Sequence, residues 1–191
     1  MMEFRLCTPD DAVGLCRCVE VVARERRYLA AVCGFPEDET RAFLHKLVEN
    51  GGIQVLALDE RAVVGWCDVM PLPHEGMRHV GRLGMGLRPA YRGQGLGKRL
   101  LRETIDRAFA TRLRRIELDV FASNLAAQRL YARAGFVTEG RRRHARILDG
   151  VEDDILVMGL LREEWPHETF PGADQDRPIP SPGSPGTPSA S

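Results

Sequence analysis

The sequence predicts an α/β protein whose mixed sheet carries helices on both faces. Residues 116–120 alternate between apolar and acidic side chains, which is the period of a half-buried strand. Residues 96–109 place their apolar side chains on one stripe of a helix. Segments of these two kinds follow one another along the chain in the order β-α-α-β-β-β-α-β-α-β-β, which is the pattern of a mixed fold.

The first third of the chain reads as one strand and two helices. Residues 3–7 form a short strand, and Thr8-Pro9-Asp10-Asp11 begins a helix with a capping hydroxyl, a proline and two acids. We expect this helix to reach about Leu29. A second helix follows Pro36 and stops at Asn50-Gly51-Gly52, because glycine favours the end of a helix.

The middle of the chain predicts a hairpin and then a strand interrupted by glycines. Residues 54–59 and 61–70 flank a tight turn at Asp59-Glu60 and form the hairpin. Residues 79–87 have the apolar content of a strand, but they include several glycines. Glycine inside a strand indicates a bulge or the close approach of another backbone or of a ligand.

The remaining elements complete the sheet. In residues 115–121 the apolar side chains occupy one face and Glu117 and Asp119 the other. Asn124 begins a short helix that ends at Gly135, and residues 136–147 and 152–160 form two closing strands.

Composition and terminal segments narrow the classes of function. Acidic and basic residues balance at 27 each, so the net charge gives no reason to expect a nucleic acid or a membrane as partner. No segment approaches the roughly 20 apolar residues of a membrane helix, and we expect a cytoplasmic protein with reduced, mostly buried cysteines and no metal site. Residues 1–165 are the expected catalytic domain, and the proline- and serine-rich residues 166–191 a disordered tail.

The segment YRGQGLGKRL, residues 91–100, is the strongest functional signal. A phosphate-binding P-loop is excluded because Lys98 is followed by Arg99 and the glycine spacing differs. A dinucleotide fingerprint is excluded because Pro89 or Lys98 replaces its third glycine. What remains is a row of amides at the start of a helix, with basic neighbours, which suits a phosphate or diphosphate. The alternative is a turn that only connects a strand to a helix.

Two motifs in this chain resemble those of the Gcn5-related N-acetyltransferase (GNAT) superfamily. The first is Arg92-x-x-Gly95-x-Gly97, which is similar to the acyl-CoA signature of that superfamily. The second is the pattern N..A..LY...GF between Asn124 and Phe136. The sequence of the two closing strands and the turn between them resembles that of one branch of the superfamily. This branch includes L-amino-acid, phosphinothricin and some ribosomal-protein acetyltransferases. This resemblance covers about residues 3–161 and implies a mostly antiparallel sheet with acetyl-CoA as cosubstrate.

The resemblance also implies a binding site for coenzyme A. The diphosphate is expected on loop amides, and the pantetheine arm on the backbone of Met85 and Leu87. The amide of Met85 is expected to face the thioester carbonyl, where negative charge develops during the reaction. The expected loop amides belong to Arg92, Gly93, Gln94, Gly95, Leu96, Gly97 and Lys98.

The resemblance assigns roles to two residues of the second motif. Asn124 corresponds to an asparagine that contacts the pantetheine arm, and its alternative role is to cap the helix. Tyr131 corresponds to the general acid that protonates the departing thiolate, and its alternative role is in the core.

The general base is left open by the sequence. Many relatives carry a glutamate four residues before the oxyanion amide, but this chain has Gly81 there. The candidates are instead Asp68, His79, Glu117 and Asp119, or a chain of waters. Each of the four side chains has an ordinary solvated or ion-paired role as its alternative.

The leading hypothesis is direct acetyl transfer from acetyl-CoA to the primary amine of a small molecule, an amino acid or an analogue. The alternatives are a protein N-terminal acetyltransferase of the ribosomal-protein type and a non-catalytic acyl-CoA sensor. Arg24, Arg26, Arg27 and Tyr28 could bind a substrate carboxylate, or they form a solvated basic surface. A homodimer is expected because many relatives form one.

Overall fold

The computed structural model describes residues 1–166, so almost all of the predicted tail (166–191) lies outside the described residues. The elements follow one another in the predicted order. The strands are β1 (Met2–Leu6), β2 (Ile53–Asp59), β3 (Ala62–Pro71), β4 (Val80–Leu87), β5 (Arg115–Phe121), β6 (Val137–Leu148) and β7 (Val151–Leu161). The helices of more than three residues are α1 (Ala12–Ala23), α2 (Glu37–Glu49), α3 (Leu96–Phe109) and α4 (Leu125–Arg133).

The seven strands form one sheet in the order β1-β2-β3-β4-β5-β7-β6. Every neighbouring pair is antiparallel except β4 and β5, which run parallel. The crossover between these two strands is α3, as the parallel direction requires. This arrangement confirms the predicted mostly antiparallel sheet.

Alternation along the central strands divides the apolar side chains between two cores. On one face, residues such as Val55, Cys67 and Leu83 pack against α3 and α4. On the other face, Leu56 and Trp66 pack against α1 and α2. The helices therefore cover both faces of the sheet. Within residues 1–166, no helix combines the length and apolar character that crossing a bilayer requires.

Two boundaries differ from the sequence prediction. The first helix ends at Ala23, not near Leu29, and Arg26 adopts a left-handed φ of 55° that α-helix cannot continue. The side chains that follow Ala23 are used in tertiary contacts described below. The hairpin turn lies at Glu60 and Arg61, one residue later than predicted, with φ of 47° and 77°. Positive φ at both central residues is the geometry of a type I′ turn.

The cysteines are less buried than predicted. All five are free thiols, but only Cys18 and Cys67 are buried, and Cys33 is exposed.

Candidate active site

The candidate active site lies where β4 and β5 diverge. Their parallel pairing extends only from Val80, opposite Arg115, to Arg82, opposite Glu117. Beyond that point β4 continues to Leu87 paired with β3, and β5 continues to Phe121 paired with β7. A wedge therefore opens in the centre of the sheet.

The backbone of β4 offers hydrogen-bonding groups to this wedge. The amide of Leu72 donates to Val80, and the amide of Arg88 donates to Val64, both at 2.9 Å. Since hydrogen-bonded pairs alternate in an antiparallel ladder, the even-numbered residues of β4 bond to β3 and the odd-numbered ones point away. Met85 and Leu87 thus direct their backbone groups toward the wedge, as the predicted pantetheine contacts require.

The glycine loop lies at the end of the same strand. Gly93 and Gly95 have φ of 73° and 78°, a left-handed backbone that only glycine adopts without strain. Gly95 is the N-cap of α3, and no side chain at this position forms a capping hydrogen bond with the helix. The first amides of α3 therefore have no partner within the helix and point out of its N-terminus. A shallow depression beside them is lined by Gly95, Lys98, Arg99 and Arg102.

Gly97 serves a different purpose from the two glycines before it. A Cβ on this residue would come within 3.3 Å of Leu87 and 3.6 Å of Leu130. Its small size lets the first turn of α3 approach both β4 and α4. The loop, the wedge and α4 are thereby brought together.

The Arg92 side chain points to the sheet and not to the loop amides. Its guanidinium donates to the carbonyl of Leu87 at 2.7 and 2.9 Å, and to the carboxylate of Glu25 at 2.5 and 2.7 Å. It also lies over the ring of Tyr28, 4.6 Å from its centre. The positive charge that the sequence suggested for phosphate binding is thus paired within the protein.

Tyr131 lies in the core next to the wedge. Its side chain is 6% exposed and packs edge-on against Phe136, with the ring centres 5.8 Å apart. Burial, with smaller contributions from Cys67 and Asp68, raises the pKa of the hydroxyl above its usual value. The phenol is therefore protonated at neutral pH, which is the form that a proton donor needs.

Asn124 is the cap of α4. Its side-chain oxygen accepts a hydrogen bond from the amide of Ala127 at 3.2 Å. The capping role that the sequence left open is thus observed, and a contact with pantetheine stays a prediction.

The four candidate bases have different surroundings in the structure. Glu117 and Asp119 lie within ion-pair distance of Arg82, at 3.7 and 3.6 Å. Asp119 is also paired with Arg142. His79 precedes β4 at the closed end of the wedge, where its carbonyl accepts bonds from Arg114 and Arg115.

Asp68 differs from these three residues. It lies on β3, directly across from Gly84 of β4. Among the described residues its carboxylate has neither a hydrogen bond nor an ion pair. Burial raises its pKa to about 7.

The position of the missing glutamate is filled by packing. A Cβ on Gly81 would lie 2.4 Å from a methyl group of Val69 and 3.0 Å from Leu113. A carboxylate cannot be accommodated there without moving the core. Packing thus excludes a glutamate at this position.

Comparison with known proteins agrees with this geometry. The model of the acetyltransferase (GNAT) family matches residues 15–136. This chain belongs to the GNAT family. It is an acetyl-CoA-dependent N-acetyltransferase.

The relatives of this GNAT enzyme include proteins named for different acceptors. A Bacillus subtilis protein provisionally named as a ribosomal protein bS18-alanine N-acetyltransferase is 30% identical over 124 residues, 64% of this chain and 78% of that protein. L-amino acid N-acetyltransferase AaaT of Escherichia coli is 26% identical over 129 residues, 66% of this chain and 80% of that enzyme. A phosphinothricin acetyltransferase from Sinorhizobium meliloti, crystallised with AcCoA, has the same fold: its TM-score is 0.79 at 22% identity, over 90% of this chain and 97% of that one.

Residues 24–28, after α1, form a bridge across the open end of the GNAT wedge. On the β4 side, Glu25 binds Arg92. On the β5 side, Arg26 binds Asp149 in the turn between β6 and β7, with N–O distances of 2.5 and 2.9 Å. Arg146 of that hairpin donates to the carbonyl of Arg26 at 2.8 Å and lies 4.5 Å over the ring of Phe121.

The bridge changes the interpretation of the basic residues after α1. Arg24 pairs with Glu20 on its own helix, and Arg26 pairs with Asp149. Both side chains are exposed, as a solvated basic surface requires, but each guanidinium is ion-paired within the protein. The sequence did not predict the bridge, because its partners are more than 60 residues apart in the chain.

We expect Gly95→Ala to weaken acetyl-CoA binding. Alanine in a left-handed backbone costs about 1–2 kcal/mol, so the loop will rearrange its amides. The KM for acetyl-CoA should rise about tenfold, since 1.4 kcal/mol corresponds to one decade. Gly76→Ala is the matched control, because it also faces open space but has no left-handed φ. Steady-state kinetics with an unchanged KM in Gly95→Ala would contradict this role.

We expect Asp149→Ala to weaken acceptor binding and leave acetyl-CoA binding unchanged. The substitution removes the Arg26 contact and loosens the β5 side of the bridge. The acceptor KM should rise several-fold, while the KM for acetyl-CoA and the Tm should stay near the wild-type values. Arg24→Ala is the control, because its partner Glu20 lies on the same helix. Equal effects of both variants on the acceptor KM would count against the bridge.

Proposed function

We propose that this enzyme transfers the acetyl group of acetyl-CoA to the primary amine of a small molecule, an amino acid or an analogue. The amine attacks the thioester directly, without an acyl-enzyme. The observation that carries this proposal is the bridge of residues 24–28, whose ion pairs with Arg92 and Asp149 join the two sides of the wedge and so favour a small acceptor. The similarity to an L-amino acid acetyltransferase supports the same acceptor class.

Each group at the site has a proposed part in this reaction. The amides of residues 92–98 bind the diphosphate at the N-terminus of α3. The backbone of Met85 and Leu87 pairs with the pantetheine arm, and Asn124, the cap of α4, contacts the same arm. The Met85 amide donates to the thioester oxygen as its negative charge grows.

Tyr131 completes the reaction as the general acid. When the C–S bond breaks, the coenzyme leaves as a thiolate, and the phenol donates its proton to the sulfur. Burial raises the pKa of this phenol, so Tyr131 is in its protonated, proton-donating form when the thiolate is formed beside it.

A protein N-terminus is the second candidate acceptor. It is favoured by the 30% identity to the protein provisionally named as a ribosomal-protein acetyltransferase. An N-terminal α-amine, with a pKa of ~7.7–8.0, also needs less help to lose its proton than a lysine amine at ~10.4. The homodimer and the cytoplasmic location expected from the sequence stay predictions.

A screen of acceptors tests the proposal. Release of coenzyme A from acetyl-CoA is followed with L-amino acids, phosphinothricin, polyamines, aminoglycosides and short peptides that begin with alanine. We expect the highest kcat/KM with an amino acid or its analogue. A preference for the peptides would establish the second candidate, and background rates with every acceptor, despite binding of acetyl-CoA, would refute both.

We expect Tyr131→Phe to lower kcat on the order of 10²-fold, the usual effect of losing a general acid. The KM for acetyl-CoA and the Tm should hardly change, because the hydroxyl has no hydrogen bond to any described residue. Tyr91→Phe is the control, since its hydroxyl donates to Asp59 at 3.1 Å, away from the wedge. Full activity of Tyr131→Phe would assign Tyr131 to the core alone.

A further inference from the structure

Asp68 lies on β3, the strand next to β4, and its carboxylate is beside Gly84. Gln54 lies on β2 directly across from Asp68, and Gly84 lies across from Asp68 on the other side. The two carboxylate oxygens are 3.4 and 3.5 Å from the place where a Cβ on Gly84 would be. Because Gly84 has no side chain, the Asp68 carboxylate lies against the backbone of β4, one residue before Met85.

Both groups lack a donor among the described residues. Gln54 is 2% exposed, and its side-chain oxygen has no hydrogen-bond partner. Asp68 is only partly buried and has no ion pair or hydrogen bond there either. Buried acceptors are almost always satisfied in proteins, which makes the Gln54 oxygen an exception. The Asp68 carboxylate keeps contact with solvent and can accept bonds from a donor-bearing ligand. A primary amine has only N–H donors when it is protonated.

The titratable groups around Asp68 carry no charge that would stabilise its anion. Cys67 is its neighbour on β3, Cys7 lies at the end of β1, and Tyr131 approaches from α4. Burial raises the pKa of each of these groups, and Asp68 contributes to each rise. All three are therefore neutral near pH 7, and Arg82 is paired with the two acids on β5.

We propose that Asp68 is the general base that takes a proton from the acceptor amine, which approaches over the bare backbone of Gly84. This inference rests on the proposed function, but it holds for either acceptor class. The ammonium gives one proton to Asp68, and the neutral nitrogen forms the C–N bond to the acetyl carbon. The C–S bond then breaks, the thiolate takes the Tyr131 proton, and one of the two protons still on the nitrogen passes to the phenolate, which leaves a neutral amide. Asp68 finally releases its proton to water.

The two faces of the sheet separate the base from the acid. Trp66, two residues before Asp68, packs in the core of α1 and α2, whereas Tyr131 packs in the core of α3 and α4. The amine can therefore approach from the side of the bridge, while the sulfur leaves toward α4. Attack and departure from opposite sides of the acetyl group need no movement of either residue.

Kinetics of Asp68→Asn test the proposal. The acceptor is the L-amino acid, or otherwise the alanine-first peptide, with the fastest turnover in the screen. We expect kcat/KM for this amine to fall on the order of 10²-fold, while the KM for acetyl-CoA stays unchanged. Glu117→Gln is the matched control, because its carboxylate is ion-paired on β5, and its kcat/KM should stay near wild type. Equal losses in both variants, or full activity of Asp68→Asn, would overturn the proposal.

The pH profile separates a catalytic role from a structural one. The unprotonated carboxylate is the active form, so wild-type kcat/KM should rise with pH and level off above about 7, which is the pKa of Asp68. In Asp68→Asn this rise should disappear and be replaced by one at the pKa of the acceptor amine. A rise near 7 that persists in Asp68→Asn would refute the assignment.

Thermal unfolding distinguishes a folded but inactive Asp68→Asn from a variant that fails to fold. The folded-state pKa of Asp68 is raised, so its contribution to stability is greatest at low pH and is lost as pH rises through about 7. The Tm of Asp68→Asn should therefore depend less on pH between 5 and 8 than that of wild type. If wild type is active and Asp68→Asn is unaffected, the proposed function stands without this base; if wild type accepts no amine, both proposals fail.

Discussion

The early end of the pairing between β4 and β5 is the constraint on which the site depends. Only three residue pairs join these strands, and the backbone groups of Met85 and Leu87 then have no strand to pair with. A buried backbone group without a partner costs ~1–3 kcal/mol, so such an opening persists only when something satisfies it. Arg92 does this for the carbonyl of Leu87. An extended amide-containing ligand such as pantetheine suits the groups that remain.

Glycines on β4 leave its backbone open to a ligand. Neighbouring side chains fill the space that these glycines leave empty. The ring of Trp66 covers Gly86 so closely that a Cβ there would lie 2.3 Å from it. Gly84 leaves room for the carboxylate of Asp68, and Gly81 is covered by Val69. Glycine weakens a strand because it contributes no side chain, but here β3 supplies the contacts. The glycines of β4 therefore account both for access to the strand backbone and for the space that the Asp68 carboxylate occupies.

The sequence could predict the elements and the two motifs because these depend on local patterns. The alternation in residues 115–121 and the glycines of residues 93–97 determine local backbone geometry wherever they occur. The bridge could not be predicted, because Arg26 and Asp149 are brought together only by the finished sheet. The same long-range contacts end α1 at Ala23, where propensity alone would have continued the helix. Gln54 could have been noticed in the sequence, because it is a polar residue at the start of an apolar strand. Its position across from Asp68 could be known only from the strand register.

Sequence alone left the four candidate bases equal because ion pairing is a property of the fold. Glu117 and Asp119 are strand residues like Asp68, and only the positions of Arg82 and Arg142 distinguish them. An arginine partner lowers the tendency of a carboxylate to accept a proton, whereas burial without a partner raises it. The structure thus pairs Glu117 and Asp119 with arginines and leaves the Asp68 carboxylate without such a partner.

The energetics of Asp68 explain how one site can bind an ammonium and also deprotonate it. With a pKa of about 7, the residue is shared between its two forms at neutral pH. An arriving ammonium favours the charged form, because opposite charges close together in a poorly solvated place attract strongly. The proton then moves to Asp68 at a lower cost than to an ordinary carboxylate, because the raised pKa brings the two groups closer in basicity. A carboxylate held by an arginine would bind the ammonium less well and would also be the weaker base, so the absence of a partner at Asp68 serves both steps.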